Sequence, residues 1–233
     1  MIEAALAATW PAAATTPLGP VTLRDGAGGG RRVSAATLDG AFDSAAIDAA
    51  TAAMRAQGRA PLFRLRRDQP ELDAHLAAQG FAIVDPTVFY TIPTAAIAAP
   101  PRPISLFGLW PMLAIHAQLW AEAGTGRERL AIMARAPAPK AAFIARIENR
   151  AAGVAFCALH GPIAMLHALE VSRGFRRKGV AGLMATGIAH WAQAQGAETL
   201  ALAVTEANTA ARALYTGLGM AEAGGYHYRE LAP

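Results

Sequence analysis

Leu169-Glu170-Val171-Ser172-Arg173-Gly174-Phe175-Arg176-Arg177-Lys178-Gly179-Val180-Ala181-Gly182 is the stretch that decides how this chain folds. An apolar run that reads as a strand, Ile163 to Val171, delivers the chain into a tight basic turn. The turn opens straight into a helix predicted over Gly179 to Gln195. The first turn of any helix leaves backbone N–H groups unpaired and carries partial positive charge. Gly179, Ala181 and Gly182 keep side chains small at that point, and Arg176, Arg177 and Lys178 add charge. A diphosphate is the ligand class that suits such a corner. The stretch has neither the Gly-x-x-x-x-Gly-Lys-Ser/Thr of a Walker loop nor the Gly-x-Gly-x-x-Gly of a dinucleotide fold. Taken alone, it reads equally as a basic helix start with small packing residues.

The downstream sequence separates these readings. After a predicted strand, Thr199 to Val204, the chain runs Asn208-Thr209-Ala210-Ala211-Arg212-Ala213-Leu214-Tyr215-Thr216-Gly217-Leu218-Gly219-Met220. Together the two segments resemble the GNAT superfamily of N-acetyltransferases over roughly Leu109 to Tyr228. That family shows Arg/Gln-x-x-Gly-x-Gly/Ala at the start of its central helix, and Asn-x-x-Ala-x-x-Leu-Tyr-x-x-Leu-Gly-Phe, or close to it, on the next. The resemblance implies an α/β fold: a mixed, mostly antiparallel sheet flanked by helices, and an acyltransferase that uses acetyl-CoA. It further implies that Leu169, Glu170 and Val171 line a wedge between two strands that holds the pantetheine arm. Arg176, Arg177, Lys178, Gly179, Val180, Ala181 and Gly182 would hold the diphosphate, Asn208 would touch the cofactor arm, and the thioester would lie beside Tyr215.

Amine attack on a thioester needs a neutral amine and a protonated leaving thiolate. Tyrosine, with an ordinary pKa near 10, can donate to a thiolate, so Tyr215 is the expected general acid. For the base there are two candidates. Alternation along a strand puts Met165, His167, Leu169 and Val171 on one face and Leu166, Ala168 and Glu170 on the other. The run Leu166 to Val171 is similar to the matching strand of serotonin N-acetyltransferases, which implies a histidine facing the acceptor at His167. Histidine titrates near neutrality, but a lone histidine on an apolar strand also reads as a hydrogen-bonded core residue. Glu170 is the second candidate, and its parity requires a bulge. Glu206 and His160 read as solvated, whereas His227 and Tyr228 are candidates for the acceptor wall.

Working outward, strands are expected at Ala141 to Glu148 and Gly153 to Leu159, with helices from Pro111 to about Ala123 and from Arg127 to Ala134, and a last strand near Gly225 to Arg229. The proline-rich stretch 98–103 reads as a linker, dividing a catalytic domain, 104–233, from an N-terminal half, 1–97. Strands are expected there at Val21 to Arg24 and Arg32 to Ala36, followed by a helix, Ser44 to Gln57. Within the N-terminal half, strand Leu62 to Leu65, helix Pro70 to Gln79 and a strand from Gly80-Phe81 to Ile92 echo the later strand–helix–strand at nearly equal spacing. Where the later copy has Asn208 and Tyr215, the earlier has Gln69 and Leu76, and the helix before it, Ser44 to Gln57, follows Leu38-Asp39-Gly40-Ala41-Phe42-Asp43 with no basic, glycine-spaced turn. The half is expected to be a degenerate GNAT-like copy without a cofactor site, extending the sheet or walling the acceptor site with Arg24, Arg31 and Arg32.

Composition narrows the rest. Net charge is +4 with a pI near 9.7, yet only 16% of residues are charged and the one dense basic cluster is Arg173 to Lys178. That compactness suits a small polyanion better than nucleic acid. The most apolar run, Ala151 to Val171, is interrupted by Gly153, His160, Gly161, Pro162, His167 and Glu170, so no membrane span is expected. The opening Met1-Ile2-Glu3-Ala4 lacks a basic start, and Cys157 is the single cysteine; both suggest a cytoplasmic protein. No metal-ligand spacing occurs. Expected partners are a small-molecule amine or a peptide amine, and the protein is expected as a monomer or homodimer. Ribosomal-protein N-terminal acetyltransferases read Glu-Val-Arg-x-Ser-Asn where this chain reads Ala203-Val204-Thr205-Glu206-Ala207-Asn208. The missing acid favours the small molecule over a peptide. A non-catalytic acetyl-CoA sensor is the reading from another class.

Overall fold

The structure, a computed structural model, describes residues 1–232. Its elements in chain order are α1 (Ile2–Thr9), β1 (Ala14–Leu18), β2 (Val21–Asp25), α2 (Arg31–Ser34), β3 (Thr37–Leu38), α3 (Ser44–Ala56), β4 (Leu62–Arg66), α4 (Pro70–Ala78), β5 (Ala82–Pro93) and α5 (Thr94–Ile97). The second half continues with β6 (Leu106–Leu109), α6 (Ala114–Glu122), α7 (Arg127–Arg135), β7 (Lys140–Ile147), β8 (Arg150–His160), β9 (Ile163–Val171), α8 (Val180–Ala194), β10 (Thr199–Thr205), α9 (Thr209–Gly217) and β11 (Ala221–Glu230). The α/β class is as expected, and the sheet is mostly antiparallel with helices packed on it.

Two compact units divide the chain, neither of them contiguous. Unit 1 takes Met1–Pro11, Phe89–Val204 and Thr209–Ala223; unit 2 takes Ala12–Val88, Thr205–Asn208 and the residues from Gly224 onward. A cut at 98–103 therefore does not separate them. The physical reason is strand placement. In unit 1 the neighbour of β10 is the end of β5, the closing strand of the first strand–helix–strand repeat. In unit 2 the end of β11, the closing strand of the second repeat, pairs antiparallel with β4 through Tyr228↔Arg64 and Glu230↔Leu62. Nor is 98–103 a loose tether: α5 packs on α8, and the Ala99 amide donates to Thr186 O at 3.3 Å.

Within unit 1 the strands run β6-β7-β8-β9-β10 and then the end of β5. The pairings from β6 to β9 are antiparallel, and β9 with β10 is parallel. Residues 152–159 of β8 are buried without alternation, the pattern of a strand covered on both faces. Helix α8 buries Val180, Met184, Ala185, Ile188, Ala189 and Ala192 on one side, and α1 lies on β8 and β9. In unit 2 the core is built from Val21, Ile47, Met54, Phe63, Leu65 and Leu76, with α3 and α4 supplying the helical side.

Some local expectations fail for local reasons. Arg31–Ser34 is a helical turn rather than a strand, because Gly30 at φ +93° turns the chain and the Ala35 amide closes back on Arg31 O at 2.9 Å. Pro111 lies outside α6, whose N-cap is Leu113; there the Leu113 amide donates to His116 Nδ1 at 3.1 Å. Helix α1 and the exposed strand β1 were not expected, since their apolar residues show neither period clearly.

Candidate functional site

The ladder between β9 and β10 runs from Ile163↔Thr199 to Leu166↔Leu202 and stops. Both strands continue beyond it, β9 to Val171 and β10 to Thr205, so the side of β9 that faced β10 is left without a strand from His167 onward. At the same place β9 carries one extra residue against β8: Phe156 pairs with His167 and Val154 with Glu170. Ala168 takes φ +48° there, and the indole N–H of buried Trp120 on α6 donates to Ala168 O at 2.9 Å. Such a bulge bends a strand and re-aims its side chains, and the indole bond that holds it is worth on the order of 1 kcal/mol. The bulge required for Glu170 is thus present. It brings Glu170 onto the face of Met165 and His167, lining a cleft of about 270 Å³ with Leu119 and Glu122 of α6, Val171, Arg173 and Arg176.

The turn after β9 is shaped for an open helix start. Phe175 is buried and anchors it, with Arg150 and Lys178 over its ring. Arg177 and Gly179 take φ +62° and +76°. The side chain of Arg176 donates through Nε to Val171 O at 3.3 Å. Gly179 caps α8 without any side-chain bond. The helical ladder opens with the Leu183 amide donating to Gly179 O at 3.0 Å, so the amides of Val180, Ala181 and Gly182 precede it. A Cβ built at Gly179 or Gly182 meets nothing within 4 Å. This corner has room and unsatisfied donors for an anionic group. Val180 contributes its amide only, its side chain being buried.

Tyr215 is buried on α9, 7% exposed, and its phenol is pushed up to about 12, first by burial and then by the negative charge of Glu170. Burial likewise raises the Glu170 carboxyl, against the pull of Arg176 and Arg129. Leu169, Glu170, Val171, Arg176 to Gly182 and Tyr215 all belong to unit 1, whereas Asn208, in the turn before α9, groups with unit 2.

His167 is placed differently from expectation. It is 3% exposed, with Nε2 2.8 Å from Thr9 Oγ1. The Thr9 hydroxyl already donates to Ala5 O at 2.6 Å, so it accepts from the imidazole, which assigns the proton to Nε2. Trp10 and Phe156 pack against the ring at 4.9 and 6.2 Å. His167 does not line the cleft, because α1 covers it. His227 is bound to Asp73 at 2.8 Å, Tyr228 is buried beside Arg32, and Glu206 pairs with Arg67 at 3.3 Å. Arg31 is held by Glu230 and Asp85, Arg24 by Thr37, so these arginines are engaged within unit 2. Cys157 is buried and its thiol is driven up by burial. Among the described residues there is no metal-holding cluster and no helix long and apolar enough to cross a membrane.

Residues 109–220 match the model of the acetyltransferase (GNAT) family. The fold is similar to that of a GCN5-related N-acetyltransferase from Kribbella flavida, with a TM-score of 0.76 at 20% identity over 100% of this chain and 95% of that one. It is similar also to a tandem GNAT protein from the clavulanic acid biosynthesis pathway, with a TM-score of 0.59 at 14% identity over 91% and 78% of the two chains. An acetyltransferase of the GNAT family from Colwellia psychrerythraea matches with a TM-score of 0.56 at 15% identity over 86% and 77%. No curated protein matches the chain. The splayed strands, the open helix start and the family match together make residues 109–220 a GNAT acetyltransferase domain.

Proposed function

We propose that the chain is an acetyl-CoA-dependent N-acetyltransferase that acylates a primary amine by direct attack, with a small-molecule acceptor preferred to a peptide. One observation carries this: past Leu166 and Leu202 the two strands part beside a helix start that no side chain caps. Unpaired strand edge on one side and unpaired amides on the other suit an arm that ends in a diphosphate. Leu169, Glu170 and Val171 would hold the arm, and Arg176 to Gly182 its phosphates. Bound there, acetyl-CoA supplies an acetyl group activated as a thioester.

The chain's own part is proton management. Glu170, half-buried and with a raised pKa, takes the proton of the attacking amine, directly or through a water. Tyr215 stays protonated up to about pH 12 and donates its hydroxyl proton to the departing sulfur. His167, bound to Thr9 and enclosed by aromatic rings, orders the core behind the bulge rather than the chemistry. Apolar Leu119 and the carboxylate of Glu122, which line the same cleft as Glu170, would form the acceptor side. The test is release of free thiol from acetyl-CoA with polyamines, aminoglycosides, amino acids and short peptides. Turnover with at least one amine is expected; tight acetyl-CoA binding without turnover on any amine would replace the enzyme with a sensor.

A further inference from the structure

Nothing in the proposed chemistry uses Tyr90, yet this phenol sits behind Tyr215. It lies near the end of β5, in the part that belongs to unit 1, and is 2% exposed. Its hydroxyl donates to Glu222 Oε1 at 3.0 Å and accepts from Arg212 Nε at 3.4 Å. Arg212 closes the triangle with a 3.0 Å bond to the same carboxylate oxygen. Arg212 stands three residues before Tyr215 on α9, and the Tyr90 ring is 6.0 Å from the Tyr215 ring at 41°.

We infer that Tyr90 is a positioning residue for Tyr215: its hydroxyl, tied to Arg212 and Glu222, fixes how α9 sits on β5, and its ring shields the Tyr215 phenol from water. The first repeat thereby contributes to the reaction through its closing strand. This rests on Tyr215 being the proton donor proposed above. A buried phenol needs a partner for its proton, but here it has two, both charged, on two different elements, which is more than packing requires. The charged group that reaches Tyr215 from β9 is Glu170, Tyr90 faces it from β5, and Arg212 belongs to its own helix. The phenol is raised by burial before charge; a neighbouring ring that keeps water out is a source of that burial.

The experiment is a double-mutant cycle with a titration beside it. Tyr90→Phe and Arg212→Gln each are expected to lower kcat about tenfold, with acetyl-CoA affinity within about twofold, and to have no further effect once Tyr215 is Phe. A loss of the same factor with and without the Tyr215 hydroxyl would show a role in stability alone and overturn the inference. Arg212 is partly exposed, so its variant keeps the core even if the Tyr90 variant folds poorly. The titration uses ring-labelled tyrosine NMR without substrate, the four tyrosines being assigned by single Phe variants. The Tyr215 phenol is expected to titrate lower in Tyr90→Leu, which takes the shielding ring away without changing the charge, than in the wild type; an unmoved or raised titration overturns the inference. Should Tyr215→Phe leave turnover intact, the general-acid reading falls, while the titration still decides whether Tyr90 sets the phenol.

Discussion

Each strand–helix–strand repeat follows a helix that starts behind a strand end, α3 before the first and α8 before the second, and the two helix starts are treated in opposite ways. Before α8, Gly179 leaves the first amides without a side-chain cap, and the ladder between β9 and β10 stops at Leu166↔Leu202. Before α3, Asp43 Oδ1 accepts from the amides of Ala45 and Ala46 at 3.0 and 3.3 Å. There the opening strands also make a short parallel contact, Ala36↔Phe63, but a side chain then bridges the gap. Gln69 accepts from the Arg66 amide at 2.9 Å and donates to Leu38 O at 2.9 Å. Donors that no side chain caps at the start of α8 are taken up at the start of α3 by Asp43. The difference lies in a handful of side chains: Asp43 against Gly179, and Gln69 against Asn208.

The largest effect should come from filling the open corner. Gly182→Glu puts a carboxylate where a Cβ meets no protein atom, at a helical position free of the positive φ that would strain Gly179. Acetyl-CoA affinity should fall more than about 100-fold from charge and bulk against the diphosphate, while thermal unfolding barely moves. Calorimetric titration checks it; retained affinity would put the diphosphate elsewhere. Next, Tyr215→Phe should lower kcat by about 100-fold, within the range of general acid catalysis, with acetyl-CoA binding intact. Unchanged turnover would remove Tyr215 from that role.

Glu170→Gln should lower kcat/KM about tenfold to 100-fold near neutral pH. Its sharper signature is in the pH profile. Burial raises the Glu170 carboxyl above its ordinary value, so the base is protonated, and idle, at pH values where an exposed glutamate would already be charged. Activity should therefore rise with pH through a pKa above 4.5, the ordinary value for glutamate, and that limb should vanish in Glu170→Gln. A limb that persists in the variant points to another base.

These contrasts mark what could be read from the sequence. The helix start at Gly179 and the Asn208–Met220 helix were legible because they are local: a few spaced residues dictate backbone donors and a face. Strand β9 was placed to the residue, since an apolar run bounded by turns needs no partner to be seen. His167 could not be decided between base and core residue because what covers it is α1, 158 positions away, and an alanine-rich helix announces nothing about where it docks. The bulge at Ala168 was beyond reach for the same reason. It is fixed by Trp120 on another helix, and period-2 alternation assumes an unbroken strand. The contiguous domain boundary failed on strand placement, since no local signal tells β5 to lie beside β10. Tyr90 was missed with it, as a tyrosine in an apolar strand reads as core until its neighbours are known.

The smallest effect is the most informative about the two corners. Asp43→Ala removes the cap of α3 and frees two amides, which should cost about 1 kcal/mol of stability, read as a lower midpoint in urea, with catalysis unchanged. It should not create a second cofactor site. Gln69 still bridges Leu38 O and the Arg66 amide, and the preceding loop offers Asp39 and Phe42 where the other has Arg176 to Lys178. Acetyl-CoA stoichiometry should therefore stay at that of the wild type in Asp43→Ala. If a second equivalent bound to the variant, the Asp43 cap alone would have closed the earlier corner. Occupied helix-start amides, rather than the filled gap between β3 and β4, would then be the feature that separates the two repeats.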